Sequence, residues 1–271
     1  MDCLLIVVLF VLLVVIKFTR RFALCMAPWF LFGFIYSSFN FYPNYEFNSI
    51  DVRDLYEAEK SLFGIVTASG RLIPGEWFAI HHCAIADFMA GCFYLCWVPV
   101  PIVFTLYLYF SNQREWASRF AWAFLTVNIV GFIGYYVHPA APPWYAMNYG
   151  FTPVLHTPGN VAGLGRFDAL VGLNIFHGIY GKNANVFAAV PSLHAAYLLV
   201  TTFYSVMSHR RWYTSCLFAF ICVGIWFTAV YTGHHYVIDV LLGILTAIIG
   251  TMILEIVWRK ALKRSLCDYK S

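Results

Sequence analysis

The feature that most limits what this chain can fold into is a succession of apolar runs about as long as a bilayer is thick. They lie at about 3–18, 22–42, 84–110, 119–137, 188–207, 213–232 and 236–258. A helix needs about 20 apolar residues to cross a hydrocarbon core of about 30 Å. Backbone polar groups in lipid must be paired inside a helix or a closed barrel, and runs of this length suit helices. Composition agrees, because 61% of the 271 residues are hydrophobic and only 11% are charged, too little polar surface for a soluble domain. The expected fold class is an all-α integral membrane protein.

The first run, "MDCLLIVVLF", lacks the basic start and small-residue cleavage site of a secretory signal. Residues 1–21 are therefore expected to stay as an N-terminal transmembrane helix or anchor, with 22–271 as one membrane-embedded domain. Basic residues recur in alternate connections: Lys17, Arg20 and Arg21, then Arg114 and Arg119, then Arg210 and Arg211, then Arg259, Lys260, Lys263 and Arg264. The positive-inside rule assigns these to the cytoplasm. The long connections 43–83 and 138–187 then face outward, to the periplasm of a bacterium or the Golgi lumen of a eukaryote. The net charge of +4 is accounted for by these topological clusters, which argues against a nucleic-acid partner. The eight cysteines show no C-x-x-C spacing and read mainly as small apolar side chains.

In the first long connection, "DVRDLYEAEKSLFGI" sets Val52, Leu55, Tyr56, Leu62 and Phe63 near helical spacing, as in a short amphipathic helix lying in the interface. The second, about 50 residues long, exceeds the usual length of an unstructured connection and is expected to carry structure or function of its own.

The polar residues that carry chemistry fall in three places. In "TGHHYVIDVLLG", His235 and Asp239 are four apart, so at a helix start they share a face and the carboxylate can orient the imidazole. That fixes the ring proton and leaves the other nitrogen free to attack. His234 has Ile238 at its fourth position and lacks such a partner. A bland alternative is an interfacial polar pair capping a helix. In "VPSLHAAY", Ser192 resembles an N-cap, with His194 in the first turn, where free amides accept a phosphate oxygen. In "GLGRFD", Arg166 offers a fork suited to phosphate and Asp168 a carboxylate, although an arginine beside an aspartate also reads as a local salt bridge. Lys182 is a second candidate phosphate contact. His81, His82 and Asp87, in "HHCAIADFMAG", read as pocket-lining or helix-capping residues.

Taken in order, "PPWY", "GLGRFDALVGLN", "NVFAAVPSLHAAY" and "GHHYVIDVLLG" resemble the type 2 phosphatidic acid phosphatase superfamily, most closely the branch of fungal inositol phosphorylceramide synthases. The resemblance covers roughly the C-terminal half. It implies a six-helix catalytic core, here with one extra N-terminal helix, and a covalent phosphohistidine mechanism. By match to the motifs, His235 would be the nucleophile, Asp239 its orienting partner and His194 the acid for the leaving oxygen. The arginine that the wider superfamily carries six residues before the nucleophile is replaced by Ala229, which leaves Arg166 as the candidate clamp, with Ser192, Lys182, His81, His82, Asp87, Asp168 and His234 as further substrate-site candidates. The reaction implied moves a phosphoinositol-type head group from a phospholipid to a ceramide-like acceptor, so the partners are membrane lipids. With water as acceptor, the same residues make a lipid phosphate phosphatase. A lipid-binding protein without enzymatic activity is the remaining class, and it has little use for His194, His235 and Asp239 together. No cofactor is implied. Nor is a metal expected, since neither H-E-x-x-H nor a carboxylate-rich loop is present.

Overall fold

All seven apolar runs are helical in the computed structural model, which describes residues 3–68, 70–181 and 185–268, with side chains to residue 260. Helices α1 (Cys3–Val15) and α2 (Arg20–Ser38) form the first hairpin. The first long connection holds α3 (Arg53–Phe63), a hairpin of β1 (Ile65–Thr67) and β2 (Gly70–Leu72), and α4 (Pro74–Ile80). Then come α5 (Ala84–Tyr94), α6 (Pro99–Phe110) and α7 (Arg114–Val137). The second long connection is structured, as its length implied, by α8 (Pro143–Tyr149), α9 (Gly165–Val171) and α10 (Ile175–Tyr180). The chain closes with α11 (Leu193–Met207), α12 (Trp212–Tyr231) and α13 (Val237–Asp268).

The six-helix core is α2, the α5–α6 pair, α7, α11, α12 and α13, with α1 packed against α2. The seven apolar runs differ in how far each reaches across a bilayer. Among the described residues, α7, α12 and the Val237–Lys260 part of α13 are long and apolar enough to cross a membrane by themselves, and α5 and α6 pass the same test together, bent by 42° at the break between them. The bend divides the single run read at 84–110 into two helices. It falls at Pro99, the first residue of α6, which supplies no N–H to carry the helical hydrogen bonding of α5 onward. At 13 and 15 residues, α1 and α11 reach only about 20 and 22 Å at about 1.5 Å per residue. α11 is short because 188–192 is not helical: Ala188 pairs with Ala140, and the helix begins only after Ser192.

Around α7, the helices α2, α6, α11 and α13 pack through Phe120, Phe124, Val127, Tyr197, Leu198 and Ala247, all buried. Leu217, Phe220, Val223, Leu241, Met252 and Val257 stay exposed on α12 and α13, an outward apolar surface that suits lipid contact. At one end of the bundle, the carboxylate of Glu255 joins three helices. It accepts from Arg119 Nε at 2.8 Å and from the Tyr204 hydroxyl at 2.6 Å. At the opposite end, a second apolar cluster built from Val52, Leu55, Tyr56, Ile73, Tyr145, Phe187 and Tyr236 caps the bundle. The amphipathic helix read at 52–63 is α3, and its buried face belongs to this cap.

Two helix starts meet beneath the cap. Ser192 N–H donates to the Asp239 carbonyl at 3.0 Å. One turn further along α13, the backbone at Gly243 comes so close that a Cβ there would lie 2.1 Å from the Ser192 carbonyl oxygen. Only glycine permits this approach.

Candidate active site

His194 is the second residue of α11, behind Ser192, whose hydroxyl caps the helix by accepting from Ala195 N–H at 3.4 Å. His235 lies in the turn that ends α12, where Gly233 takes φ +71°. Three neighbours fix that turn. His234 and His235 N–H both donate to the Ala229 carbonyl, Gly163 N–H to the Thr232 carbonyl, and Trp144 N–H to the Gly233 carbonyl. Because α13 begins only at Val237, His235 and Asp239 straddle the helix start instead of sharing one helical face, which corrects the sequence picture. The four-residue spacing still brings them together, with His235 Nδ1 3.4 Å from Asp239 Oδ2. The same oxygen accepts from Tyr236 N–H at 2.9 Å.

The other nitrogen of His235 faces the first histidine: His194 Nδ1 and His235 Nε2 are 3.0 Å apart. If His235 turns its protonated Nδ1 to Asp239, its Nε2 carries the lone pair, and His194 Nδ1 is then the donor of this contact. The His194 ring lies against Trp97 at 4.4 Å and is stacked on Tyr94 at 5.0 Å. Both histidines line a cavity of about 340 Å³ whose polar wall also includes His234, Asn160 and Tyr180, and whose apolar wall includes Phe39, Phe132 and Tyr197. His234 has Nδ1 3.0 Å from the Thr232 hydroxyl and its ring against Tyr180. Burial, reinforced by the neighbouring His235, pushes its pKa down to about 3, so it is neutral at physiological pH.

The structure thus brings His194, His234, His235, Asp239 and Ser192 together. It places the other candidates apart. Arg166 Nε donates to Asp87 Oδ1 at 2.6 Å, and its guanidinium lies 5.0 Å from the centre of the Tyr231 ring. Tyr231 O–H also donates to Asp87 Oδ1, at 2.8 Å, and His82 Nδ1 lies 3.1 Å from Oδ2. Arg166, Asp87 and His82 form one network that leads through Tyr231 to the histidine turn, and none of them lines the cavity. His81 stacks on Trp77. Asp168 accepts from Phe176 and His177 N–H and pairs with the His177 ring at 2.8 Å, holding the start of α10. Its burial raises the carboxyl pKa, but these donors outweigh that and hold it below the usual range. Lys182 lies outside the described residues. Sequence reading missed Trp97, Tyr94, Asn160 and Tyr180. For Trp97 a signal existed, since "CWVPVP" marks a break in an apolar run.

The sequence profile of the PAP2 superfamily matches residues 53–253, which hold both histidines, the aspartate and the cap above them. The chain belongs to the PAP2 superfamily. This PAP2 chain is 58% identical over 237 residues to a phosphoinositol dihydroceramide synthase of Bacteroides thetaiotaomicron, covering 88% of the chain and 78% of that protein. It is 30% identical over 167 residues to the catalytic subunit of inositol phosphorylceramide synthase of Schizosaccharomyces pombe, covering 57% of the chain and 38% of that protein. Against the corresponding Saccharomyces cerevisiae subunit, identity is 30% over 118 residues, or 43% of the chain and 29% of that protein. The chain therefore spans well under half of these fungal relatives. No solved structure matches it.

Proposed function

We propose that the chain transfers a phosphoinositol head group from a phospholipid such as phosphatidylinositol to ceramide or dihydroceramide, through a phosphohistidine. The observation that carries this reading is the 3.0 Å approach of His194 Nδ1 to His235 Nε2, with Asp239 behind His235, in a superfamily member 58% identical to a phosphoinositol dihydroceramide synthase. In the first step His235 Nε2 forms a bond to phosphorus and the bond from phosphorus to the diacylglycerol oxygen breaks. His194, protonated beside the anionic phosphodiester, gives that oxygen its proton. In the second step His194 takes the proton of the acceptor's primary hydroxyl, the new O–P bond forms, and the N–P bond breaks. Amides at the start of α11 supply positive potential beside His194.

The site is assigned to the extracytoplasmic side. Lys17, Arg20, Arg114, Arg210 and Arg211 lie in the connections opposite the histidine end of the bundle, as the positive-inside rule requires of cytoplasmic loops. A lipid phosphatase is the second reading, since nothing about the two histidines by itself excludes water as acceptor.

The deciding experiment supplies purified protein in detergent with head-group-labelled phosphatidylinositol, with and without ceramide, and with a chelator in parallel. Label appearing in a new sphingolipid only when ceramide is present, undiminished by the chelator, is the expected result. Release of free inositol phosphate at the same rate with or without ceramide would make the protein a hydrolase.

A further inference from the structure

One buried carboxylate has no part in the reaction just described. Glu59 stands on the inner face of α3, one turn beyond Leu55 and Tyr56, and is fully buried. Its Oε1 accepts from Val237 N–H at 2.8 Å and its Oε2 from Ile238 N–H at 3.2 Å. These are the first two residues of α13, 178 and 179 residues away in sequence. Amides at a helix start have no acceptor within the helix, and the partial positive charge there favours an anion. The third residue of α13 is Asp239, which takes the Tyr236 amide and faces His235. Two carboxylates thus hold three successive amides, one from each side of the helix start.

We propose that Glu59 is a positioning residue for the His235–Asp239 pair: by taking the amides of Val237 and Ile238, it leaves Asp239 to steer the imidazole. Asp239 is the other carboxylate at this helix start among the described residues, and its Oδ1 is buried without a partner. With Glu59 gone, the two amides lose their acceptor and compete with His235 for Asp239. The placement of Glu59 is costly. Burial pushes its pKa up to about 7 even though both amides pull the other way. The cap helix α3 is in this way tied directly to the reaction centre.

The inference rests on the proposed phosphohistidine reading, and a double-mutant cycle separates the two. Turnover of labelled phosphatidylinositol with ceramide is measured for the full chain, for Glu59→Gln, for Asp239→Asn and for the double variant, with rates per folded protein. Glu59→Gln keeps the size but loses the charge and turns an NH2 group toward an N–H donor. It is expected to lower kcat about 10- to 100-fold with KM for the donor lipid within about twofold. In the Asp239→Asn background the same change is expected to cost less than about twofold more, because its effect passes through Asp239. Wild-type kcat in Glu59→Gln, an effect on KM alone, or a full multiplicative loss on top of Asp239→Asn would overturn the assignment. Wild-type turnover in Asp239→Asn would instead overturn the reaction itself. Should Glu59→Gln fail to fold, Glu59→Asp keeps the charge but draws the carboxylate back from the Val237 and Ile238 amides. It is expected to lower kcat in the same way, and an unchanged kcat in that variant would equally refute the proposal.

Discussion

Asp239 turns one oxygen toward two nitrogens. Its Oδ2 accepts the Tyr236 amide at 2.9 Å and faces His235 Nδ1 at 3.4 Å, in a fully buried setting. On the proposed mechanism its value lies in fixing which ring nitrogen of His235 carries the proton. Asp239→Asn keeps the shape but offers an NH2 group, which favours the tautomer with its lone pair on Nδ1 and so blocks Nε2. The expected outcome is a fall in kcat of about two to four orders of magnitude with little change in KM, read from turnover of the labelled donor lipid. At this scale the sequence was informative where spacing is local. His235 and Asp239 are four apart, and the side chains meet even though His235 lies just ahead of the helix and not on it. It was less informative for Arg166, His82 and Asp87. Each was singled out by residue type, but their joining into one network depends on α5 and α9 packing together, which no local pattern encodes.

At the scale of elements, the critical contact is between two helix starts. Ser192 N–H bonds to the Asp239 carbonyl, and the Gly243 backbone presses on the Ser192 carbonyl. A methyl group at 243 meets that oxygen at 2.1 Å, and backbone cannot swing aside as a long side chain does. Gly243→Ala is therefore expected to push α13 from α11, separate His194 from His235 and destabilise the fold by about 1–3 kcal/mol. A lowered melting temperature in detergent, with at least about a tenfold loss of kcat in the protein still folded, is the check. That every apolar run is a helix was legible from length and hydropathy, and the Ser192 cap from residue type. The pairing of Ala188 with Ala140 and the reach of Glu59 from α3 to the start of α13 were not, because both join segments far apart in the chain. The break between α5 and α6 had a written signal in Pro99 and Pro101, outweighed by the unbroken apolar composition around them.

Across the whole molecule, the six-helix core with one outlying helix could be read from the chain, and the cap over it could not. The cap is held by contacts between remote segments. Asn44, fully buried, donates to the carbonyls of Tyr135 and Phe187, 91 and 143 residues away, and thereby fixes the segment that forms one wall of the chamber. That chamber is a single space of about 340 Å³ with both imidazoles on its wall. A volume of that size takes one ligand of modest size. On the proposed reaction the two lipids use that space in turn, the spent diacylglycerol withdrawing before the sphingoid alcohol reaches the phosphorus. The kinetic form of this exclusion is a substituted-enzyme cycle, in which reciprocal plots of rate against donor, taken at several acceptor levels, run parallel instead of converging.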